Sequence, residues 1–239
     1  MQNLLTPEIP ELVIEDWGVL PFAEALDGQL QVLEQIHSNN WPGVIGFCQH
    51  PPVVTVGSKA QASEYCDWQG EVVNVSRGGR VTYHGPEQLM IYPLINLSHP
   101  SFHKDLDLYL RSLENWLLET LKQMDICAFN KNQMAPADLA RARAQSAVSE
   151  AETEVTGIWT GGKKIASLGI GIRKWITFQG ASLNVNASKN FDKLTPCGFL
   201  PSTMTSMSEV TGATWNVKAV QNQLTENVVT FTRSLMKAK

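Results

Sequence analysis

The order of strand-type and helix-type segments is the feature of this sequence that most constrains its fold. Short apolar runs typical of strands outnumber the amphipathic stretches typical of helices, and the two kinds do not alternate strictly. A doubly wound parallel sheet requires that alternation, because a helix connects each pair of parallel strands. The sequence therefore predicts an α/β (α+β) fold in which helices flank a mixed β-sheet.

The strand patterns are separated by turn residues, and two long ones follow each other directly. These two are expected to form a hairpin that turns near Arg173 and Lys174. The predicted strands are residues 12–15, 44–48, 53–56, 71–75, 89–95, 158–159, 164–172 and 176–185. The predicted helices are residues 22–37, 104–124 and 217–236.

Capping and burial patterns refine three of these elements. Asn216 is a candidate N-cap for the last helix. Residues 71–75 and 89–95 are interpreted as buried strands on either side of a glycine-rich loop.

A chain of 239 residues is long enough to bury about 70% of its unfolded surface without disulfides or metals. No internal repeat or linker divides it, so a single domain over residues 1–239 is expected. Residues 130–156 interrupt the pattern, since they are rich in alanine and polar residues and almost lack large apolar ones. This stretch is interpreted as an exposed insertion, either helical or a mobile loop, that contributes little to the core.

Charge and cysteine usage exclude several functions. The formal net charge is −4, which argues against binding nucleic acids or anionic membranes through bulk charge. No apolar run is long enough to span a bilayer, and the N-terminal residues resemble neither a signal nor a transit peptide. The four cysteines never occur as CxxC, and no HExxH or HxH is present, so neither a disulfide framework nor a metal site is expected. A reducing, cytoplasmic location follows as an expectation.

A glycine-rich segment with two arginines begins at Arg77 and reads RGGRVTYHGPEQ. Its glycine spacing matches neither a dinucleotide-binding fingerprint nor a P-loop. The glycines indicate either a loop that lets backbone approach a ligand closely or a tight turn with solvated arginines. His84 is the histidine of most interest, because it closes this segment and a Cys–His pair is one possible use for it.

Lys164 and Cys197 are the candidate reactive residues. Lys164 heads an apolar strand, where partial desolvation lowers a lysine pKa and allows it to act as a base. The alternative is a surface lysine at the mouth of a hairpin. Cys197 lies between Pro196 and Gly198 on what is expected to be a rigid, exposed turn, where a nearby cation would favour the nucleophilic thiolate.

Four motifs together identify a family that the chain resembles. In order, they are RGG-x-VTYHGP from Arg77, KIASLG from Lys164, F-x-G-x-x-LNVN from Phe178 and PCG around Cys197, with an early HPPV from His50. This set closely resembles the octanoyl-[acyl-carrier-protein]–protein N-octanoyltransferases of lipoate biosynthesis, over roughly residues 10–210.

The resemblance implies the fold of the biotin- and lipoate-protein ligase catalytic domains. It also implies that an octanoyl group passes from octanoyl-acyl carrier protein to a cysteine thioester, and then to the ε-amine of a lysine on a lipoyl domain. The implied acceptors are the lipoyl domains of 2-oxoacid dehydrogenases and the glycine cleavage H protein. No cofactor, metal, nucleic acid or membrane partner is implied.

The resemblance also assigns roles to individual residues. Cys197 corresponds to the acyl-accepting nucleophile and Lys164 to the lysine that activates it. The residues corresponding to substrate-binding segments are Arg77, Gly78, Gly79, Arg80, Val81, Thr82, Tyr83, His84, Ser167, Leu168, Gly169, Gly180, Ala181 and Ser182.

Three further hypotheses concern how these residues act. Backbone N–H groups near Gly78 and Gly79, or at Gly198, are candidates to bind the developing oxyanion. An apolar slot for the octanoyl chain is expected around Leu168 and Ala181. A basic rim for an acidic carrier protein, or merely a solvated face, is formed by Arg77, Arg80, Lys163, Arg173 and Lys174.

The chain departs from the family pattern in three places. Glu87 stands where glycine is usual, Gln179 replaces the usual histidine, and residues 130–156 are longer than expected. Two alternatives to the transferase remain: an ATP-dependent lipoate–protein ligase of the same fold, which needs no cysteine, and a non-catalytic relative that binds acyl-carrier or lipoyl domains.

Overall fold

The computed structural model describes residues 9–77, 79–149 and 155–237. The strands are β1 (Val13–Val19), β2 (Gly43–Gln49), β3 (Val53–Val56), β4 (Glu71–Asn74), β5 (Val81–His84), β6 (Gln88–Ile95), β7 (Phe129–Asn130), β8 (Ile158–Thr160), β9 (Lys163–Arg173) and β10 (Ile176–Asn184). The helices are α1 (Phe22–Asn39), α2 (Leu106–Gln123), α3 (Pro136–Ala144), α4 (Met207–Thr211), α5 (Val217–Glu226) and α6 (Val228–Leu235).

The strands form two mixed sheets. The larger has seven strands in the order β1-β2-β6-β10-β9-β8-β7, and only β1 and β2 pair in parallel. The smaller has three strands in the order β4-β3-β5, with β3 and β4 parallel. The predicted mixed sheet flanked by helices is confirmed.

Helices cover both faces of the larger sheet because its strands alternate apolar side chains between the faces. In β2, Ile45 and Phe47 pack toward α2, α5 and α6, whereas Val44 packs toward α1. The rings of Trp116 and Phe231 stack 4.9 Å apart in the first of these cores. The sheet is therefore a rigid platform held between two apolar layers.

The predicted hairpin at the centre of the sheet is confirmed. Ile176 of β10 pairs with Arg173 of β9, so Lys174 and Trp175 form a two-residue turn. Both have positive φ, 53° and 59°, as the type I′ turn of a tight hairpin requires. This hairpin fixes the register of the strands that carry the candidate site.

Two predictions in the glycine-rich region are wrong. Val81–His84, expected in a loop, is strand β5, because it pairs with β3 far away in sequence. β4 lies at the edge of the small sheet and is mostly exposed rather than buried. Neither long-range pairing nor edge position is visible in a local pattern.

The last predicted helix is two helices that meet at Asn227. The side chain of Asn227 donates to Thr120 Oγ1 (3.1 Å) and Gln123 Oε1 (2.8 Å) on α2, which anchors the break. The predicted cap is confirmed, since Asn216 Oδ1 accepts from the N–H groups of Lys218 and Ala219. No helix in the described part of the chain combines the length and apolar content that a bilayer crossing needs.

Residues 130–149 and 155–156 contribute more to the core than their composition suggests. α3 is largely exposed, but Met134, Ala142 and Val155 are buried in a second apolar cluster with Trp159 and Phe199. The expectation that this stretch adds little to the core therefore fails at these three positions. Residues 150–154 lie outside the described residues.

Candidate active site

Cys197 occupies a turn with unusual backbone geometry. It has φ 56° and ψ 22°, a left-handed conformation that non-glycine residues adopt at a cost of roughly 1–2 kcal/mol. Pro196 and Gly198 beside it are buried, and Cys197 itself is half-buried rather than exposed as predicted. A reactive side chain on a strained, enclosed turn is a functional-site candidate.

A segment of the Ala-rich stretch holds this turn in place. We call residues 145–148 the strap. The N–H of Ala147 donates to Gly198 O (2.8 Å), and the N–H of Leu200 donates to Gln145 O (2.9 Å). Gln145 Nε2 donates to Gly162 O (3.0 Å), which ties the strap to the turn before β9. The strap thus joins the two segments that carry Cys197 and Lys164, a role that its sequence did not reveal.

Lys164 is buried, which excludes the alternative of a surface lysine at a hairpin mouth. Only 3% of its surface is exposed, and its Nζ lies 5.9 Å and 5.8 Å from the ring centres of Trp159 and Phe199. Gly157, with φ 126°, leaves room for the lysine stem, because a Cβ there would lie 2.6 Å from Lys164 Cε. The ammonium is therefore held by packing on several sides.

The surroundings of Cys197 favour its thiolate. Burial alone raises the pKa of the thiol, but the positive charges of Lys164 and Arg77 and hydrogen bonds from Ser167 and Thr82 outweigh it, so the pKa is lowered. Ser167 Oγ lies 3.9 Å from Cys197 Sγ. By contrast, burial raises the pKa of the Cys48 thiol, as expected for a packing residue.

The two arginines of the glycine-rich segment have different partners. Arg77 Nη2 donates to Thr55 Oγ1 (2.9 Å) and Nη1 to Arg80 O (3.2 Å), so its guanidinium is fixed beside Cys197. Burial lowers the pKa of Arg77, which still stays charged at neutral pH. Arg80 forms a buried ion pair with Glu64 and donates to Lys59 O (3.2 Å), which anchors the adjoining loop.

Two cavities meet at Cys197. We call the narrower one, of about 50 Å³, the slot and the wider one, of about 260 Å³, the groove. The slot is lined by Phe22, Arg77, Thr82, His84, Met90, Tyr92, Ser167, Leu168, Gly169, Gln179, Gly180, Ala181, Ser182 and Cys197. The groove is lined by Lys59, Arg77, Gly79, Arg80, Leu110, Thr156, Lys164, Leu168, Gly169, Ile170 and Cys197. A larger, open cleft beside α2 contains none of the predicted site residues.

The floor of the slot is the β9–β10 ladder. Ser167 pairs with Ser182 beside the thiol, and Gly169 pairs with Gly180 farther along. A Cβ at Gly180 would lie 2.1 Å from Ile91 O, so glycine permits the close approach of β6. Leu168 and Ala181, around which the sequence predicted a slot, form the next pair of the same ladder, and both line the slot.

His84 closes the side of the slot as a neutral ring. Burial and the charges of His50 and Arg77 lower its pKa to about 3. Its ring nitrogens lie 3.4 Å from Thr55 Oγ1 and 3.2 Å from Gln88 Oε1, and Phe22 stacks on the ring at 5.7 Å. Such a ring is a poor base, so the geometry favours Lys164 over a Cys–His pair.

The structure does not bring every predicted site residue to the cavities. Thr82 and His84 face the slot, whereas Val81 and Tyr83, on the other side of β5, are buried in the second apolar cluster. Gly78 lies outside the described residues. Phe22, Met90, Tyr92 and Thr55 were not anticipated, because nothing distinguishes their sequence context from that of ordinary core residues.

Two other predictions from the sequence fail. Arg173 and Lys174 lie at the far hairpin turn and pair with Glu34, with Lys174 Nζ 2.7 Å from Glu34 Oε2, so they form no rim around the site. Gly198 is a poor oxyanion donor, since its N–H already donates to Thr195 O (3.2 Å).

Glu87, the unusual acid, lies outside both cavities. It accepts hydrogen bonds from Tyr83 Oη and Ser188 Oγ, each at 3.2 Å. These bonds tie it to neighbouring loops rather than to the thiol.

The geometry places no cation-binding cluster near the thiol. No group of three or more His, Cys, Asp or Glu side chains suited to a metal ion occurs in residues 9–77, 79–149 and 155–237. The groove brings together a thiol, an ammonium and a guanidinium, from Cys197, Lys164 and Arg77.

Comparisons with known proteins agree with this geometry. Residues 21–229 match the family model of the lipoyl protein ligase A/B catalytic domain. Octanoyltransferases are among the similar proteins: that of Bdellovibrio bacteriovorus is 39% identical over 90% of this chain and 95% of its own, and that of Syntrophotalea carbinolica is 36% identical over 83% and 84%.

Solved structures show the same fold at low identity. Lipoate-protein ligase A bound with ATP has a TM-score of 0.63 at 16% identity, over 95% of this chain and 86% of its own. A bi-partite lipoate protein ligase from Thermoplasma acidophilum has a TM-score of 0.61 at 14% identity, over 94% and 84%. The family model and the identities to octanoyltransferases together show that this chain belongs to the lipoyl protein ligase A/B catalytic domain family and is an acyltransferase of the octanoyltransferase type.

Proposed function

We propose that this enzyme transfers an octanoyl group from octanoyl-acyl carrier protein to Cys197 and then to the ε-amine of a lysine on a lipoyl domain. The observation that carries the proposal is the lowered pKa of the Cys197 thiol, at the point where the slot and the groove meet. A thiolate there has an enclosed cavity on one side for the acyl chain and a wider opening on the other for the partners.

In the first transfer, the thiolate of Cys197 attacks the carbonyl carbon of the octanoyl thioester. The new C–S bond forms as the bond to the carrier's sulfur breaks, and the departing thiolate takes a proton from the Lys164 ammonium. Both the broken and the formed bonds are thioesters, so the step is close to balanced in energy. It leaves an octanoyl-Cys197 thioester and a neutral Lys164.

In the second transfer, the amine of the acceptor lysine attacks the thioester carbonyl. Neutral Lys164 takes the proton that the amine loses, and Cys197 leaves as the thiolate that began the cycle. The buried position of Lys164 supports this role, because packing holds its side chain in the groove that also contains Cys197.

The two cavities suggest how the substrates lie. Away from Arg77, the side chains that line the slot are uncharged and suit the saturated octanoyl chain, with Thr82, His84, Ser167, Leu168, Gly169, Gly180, Ala181 and Ser182 along it. The groove carries the side chains of Lys59, Arg77 and Arg80 and suits an acidic carrier protein.

The resemblance to the family also supports a proposal for the domain organisation, the location and the acceptors of the enzyme. Residues 1–239 form one catalytic domain that acts in the cytoplasm without a cofactor. Its acceptors are the lipoyl domains of 2-oxoacid dehydrogenases and the glycine cleavage H protein.

Intact mass after mixing with octanoyl-acyl carrier protein tests the proposal. We expect the native protein to gain one octanoyl group, Cys197→Ser to gain none, and Lys164→Ala to gain it slowly. Cys66→Ser is the matched control, because Cys66 is exposed and lies outside both cavities. Adding a lipoyl domain should remove the octanoyl group from the enzyme and place it on the domain.

Two outcomes would replace the proposal. Transfer from free octanoate that needs ATP and no carrier protein would make the enzyme a ligase, a function known for one neighbour in fold that binds ATP. Binding of the carrier protein with neither an adduct nor transfer would make the chain a non-catalytic relative.

A further inference from the structure

Gln179 is a polar side chain at the end of the slot that the proposed chemistry leaves without a role. It is 4% exposed, and its Nε2 has no hydrogen-bond partner among the described residues. Its backbone adopts φ 58°, and its N–H donates to Gln29 Oε1 on α1 (2.6 Å). The contact with α1 therefore fixes the position of this residue against the slot.

The residue pairing between β9 and β10 shows how far Gln179 lies from the Cys197 thiol. Ser182, paired with Ser167 beside Cys197 Sγ, marks one end, and Gln179, paired with Ile170, marks the other. The two residues are three positions apart on β10, or about 10 Å along a strand. An extended octanoyl chain attached to Cys197 spans a comparable length, so its methyl end arrives near Gln179.

An amide is a poor neighbour for a saturated chain. The octanoyl chain has no acceptor beyond its carbonyl group, and an apolar group pressed against a buried donor leaves that donor unsatisfied. Other polar side chains line the same cavity, but within that lining the Nε2 of Gln179 is the buried side-chain polar atom without a hydrogen-bond partner among the described residues. The unfavourable contact therefore arises where the chain reaches this amide.

We propose that Gln179 sets the upper limit of acyl-chain length, by closing the slot with a polar amide at the point where an octanoyl chain ends. This inference rests on the proposed function, in which the slot holds the acyl chain. A longer chain must displace or bury the amide, and so it reacts more slowly with Cys197.

The test compares octanoyl- and dodecanoyl-acyl carrier protein as donors and measures the rate of Cys197 acylation by intact mass. In the native protein, we expect the octanoyl donor to react at least about tenfold faster than the dodecanoyl donor. Gln179→Met, which keeps the length of the side chain and removes the amide, should lower this ratio about tenfold.

Two further variants make the result interpretable. Gln221→Met removes a buried amide on α5 outside both cavities, and it should leave the ratio unchanged. Gln179→Leu serves as a second substitution, with the melting temperature of each variant measured to establish that it is folded. An unchanged ratio in folded Gln179→Met and Gln179→Leu would overturn the inference.

Calorimetric binding of free octanoate and dodecanoate separates this inference from the proposed function. If the native protein forms no octanoyl adduct, the proposed function fails. A lower ratio of octanoate to dodecanoate affinity in Gln179→Met would then still support Gln179 as the determinant. An unchanged affinity ratio would overturn that role independently of the chemistry.

Discussion

The slot and the groove share Cys197 and the charged side chain of Arg77, but they differ in the charge of their other side chains. In the slot, burial lowers the pKa of His84 and raises that of Tyr92, so both groups are neutral near pH 7. The groove, in contrast, carries the cationic side chains of Lys59 and Arg80 and the amine of Lys164. The difference teaches that Cys197 lies at a boundary between two environments. In the proposed reaction, one side holds the acyl chain and the other side carries the proton transfer.

Replacing Lys164, the buried lysine of the groove, should have the largest effect on octanoyl transfer. In Lys164→Met, the pKa of the Cys197 thiol rises, because the lost positive charge no longer favours the thiolate. We expect octanoyl transfer to fall by at least about 10²-fold. The pH profile of alkylation by iodoacetamide should also move to higher pH, while Lys122→Met, an exposed lysine on α2, changes neither. An unshifted alkylation profile would show that Lys164 does not influence the pKa of the Cys197 thiol.

Blocking the slot should affect acylation without affecting the thiol. Ser182→Leu places a large side chain beside the thiol end of the slot, and we expect acylation by the octanoyl donor to fall at least about tenfold. Iodoacetamide is small and should alkylate Cys197 at an unchanged rate. Equal losses of acylation and alkylation would mean that the substitution alters the reactivity of the thiol, and not only the space for the acyl chain.

The neutral state of His84 should appear as a loss of stability in acid. The unfolded chain binds a proton at this residue below a pH of about 6.5, whereas the folded protein resists it down to about 3, so stability falls as pH falls through this range. Between pH 7 and 5, we expect the loss from His84 to be about 2 kcal/mol in urea unfolding. His84→Gln should show a smaller loss; an identical loss would mean that His84 is already protonated in the fold.

The strap should give the smallest effect. Gln145→Ala removes the hydrogen bond from Nε2 to Gly162 O and is expected to lower the free energy of unfolding by about 1 kcal/mol. Because the backbone bonds of the strap to Gly198 and Leu200 remain, acylation of Cys197 should change by less than about threefold. A larger loss of acylation would show that the strap acts on the thiol directly.

Residue types and local patterns predicted part of this site. The periodicity of α2 and the β9–β10 hairpin was readable because both depend on neighbouring residues. Lys164 and Cys197 were candidates from their local sequence alone, and their roles were predicted only through the resemblance of their motifs to those of a known family. The burial of Lys164 among aromatic rings was not predictable, since Trp159 and Phe199 reach it from different segments.

The failures share a physical cause, which is contact between distant parts of the chain. β5 was missed because its partner β3 lies about 25 residues away in sequence. Arg173 and Lys174 were wrongly assigned to the basic rim because β9 carries Arg173 about 33 Å from Lys163 at 3.3 Å per residue. The low pKa of His84 comes from desolvation by the completed fold, which no local pattern encodes.

The strap and the left-handed turn also bear on the entropy of catalysis. The position of Cys197 is set by backbone hydrogen bonds of Ala147 and Leu200 and by its own φ of 56°, rather than by a freely rotating loop. In the proposed reaction, ordering the nucleophile is therefore accomplished once, when the chain folds, and is not repeated at each turnover. A nucleophile that is preorganised in this way can take the acyl group from the donor and pass it to the acceptor without a change in its own backbone conformation.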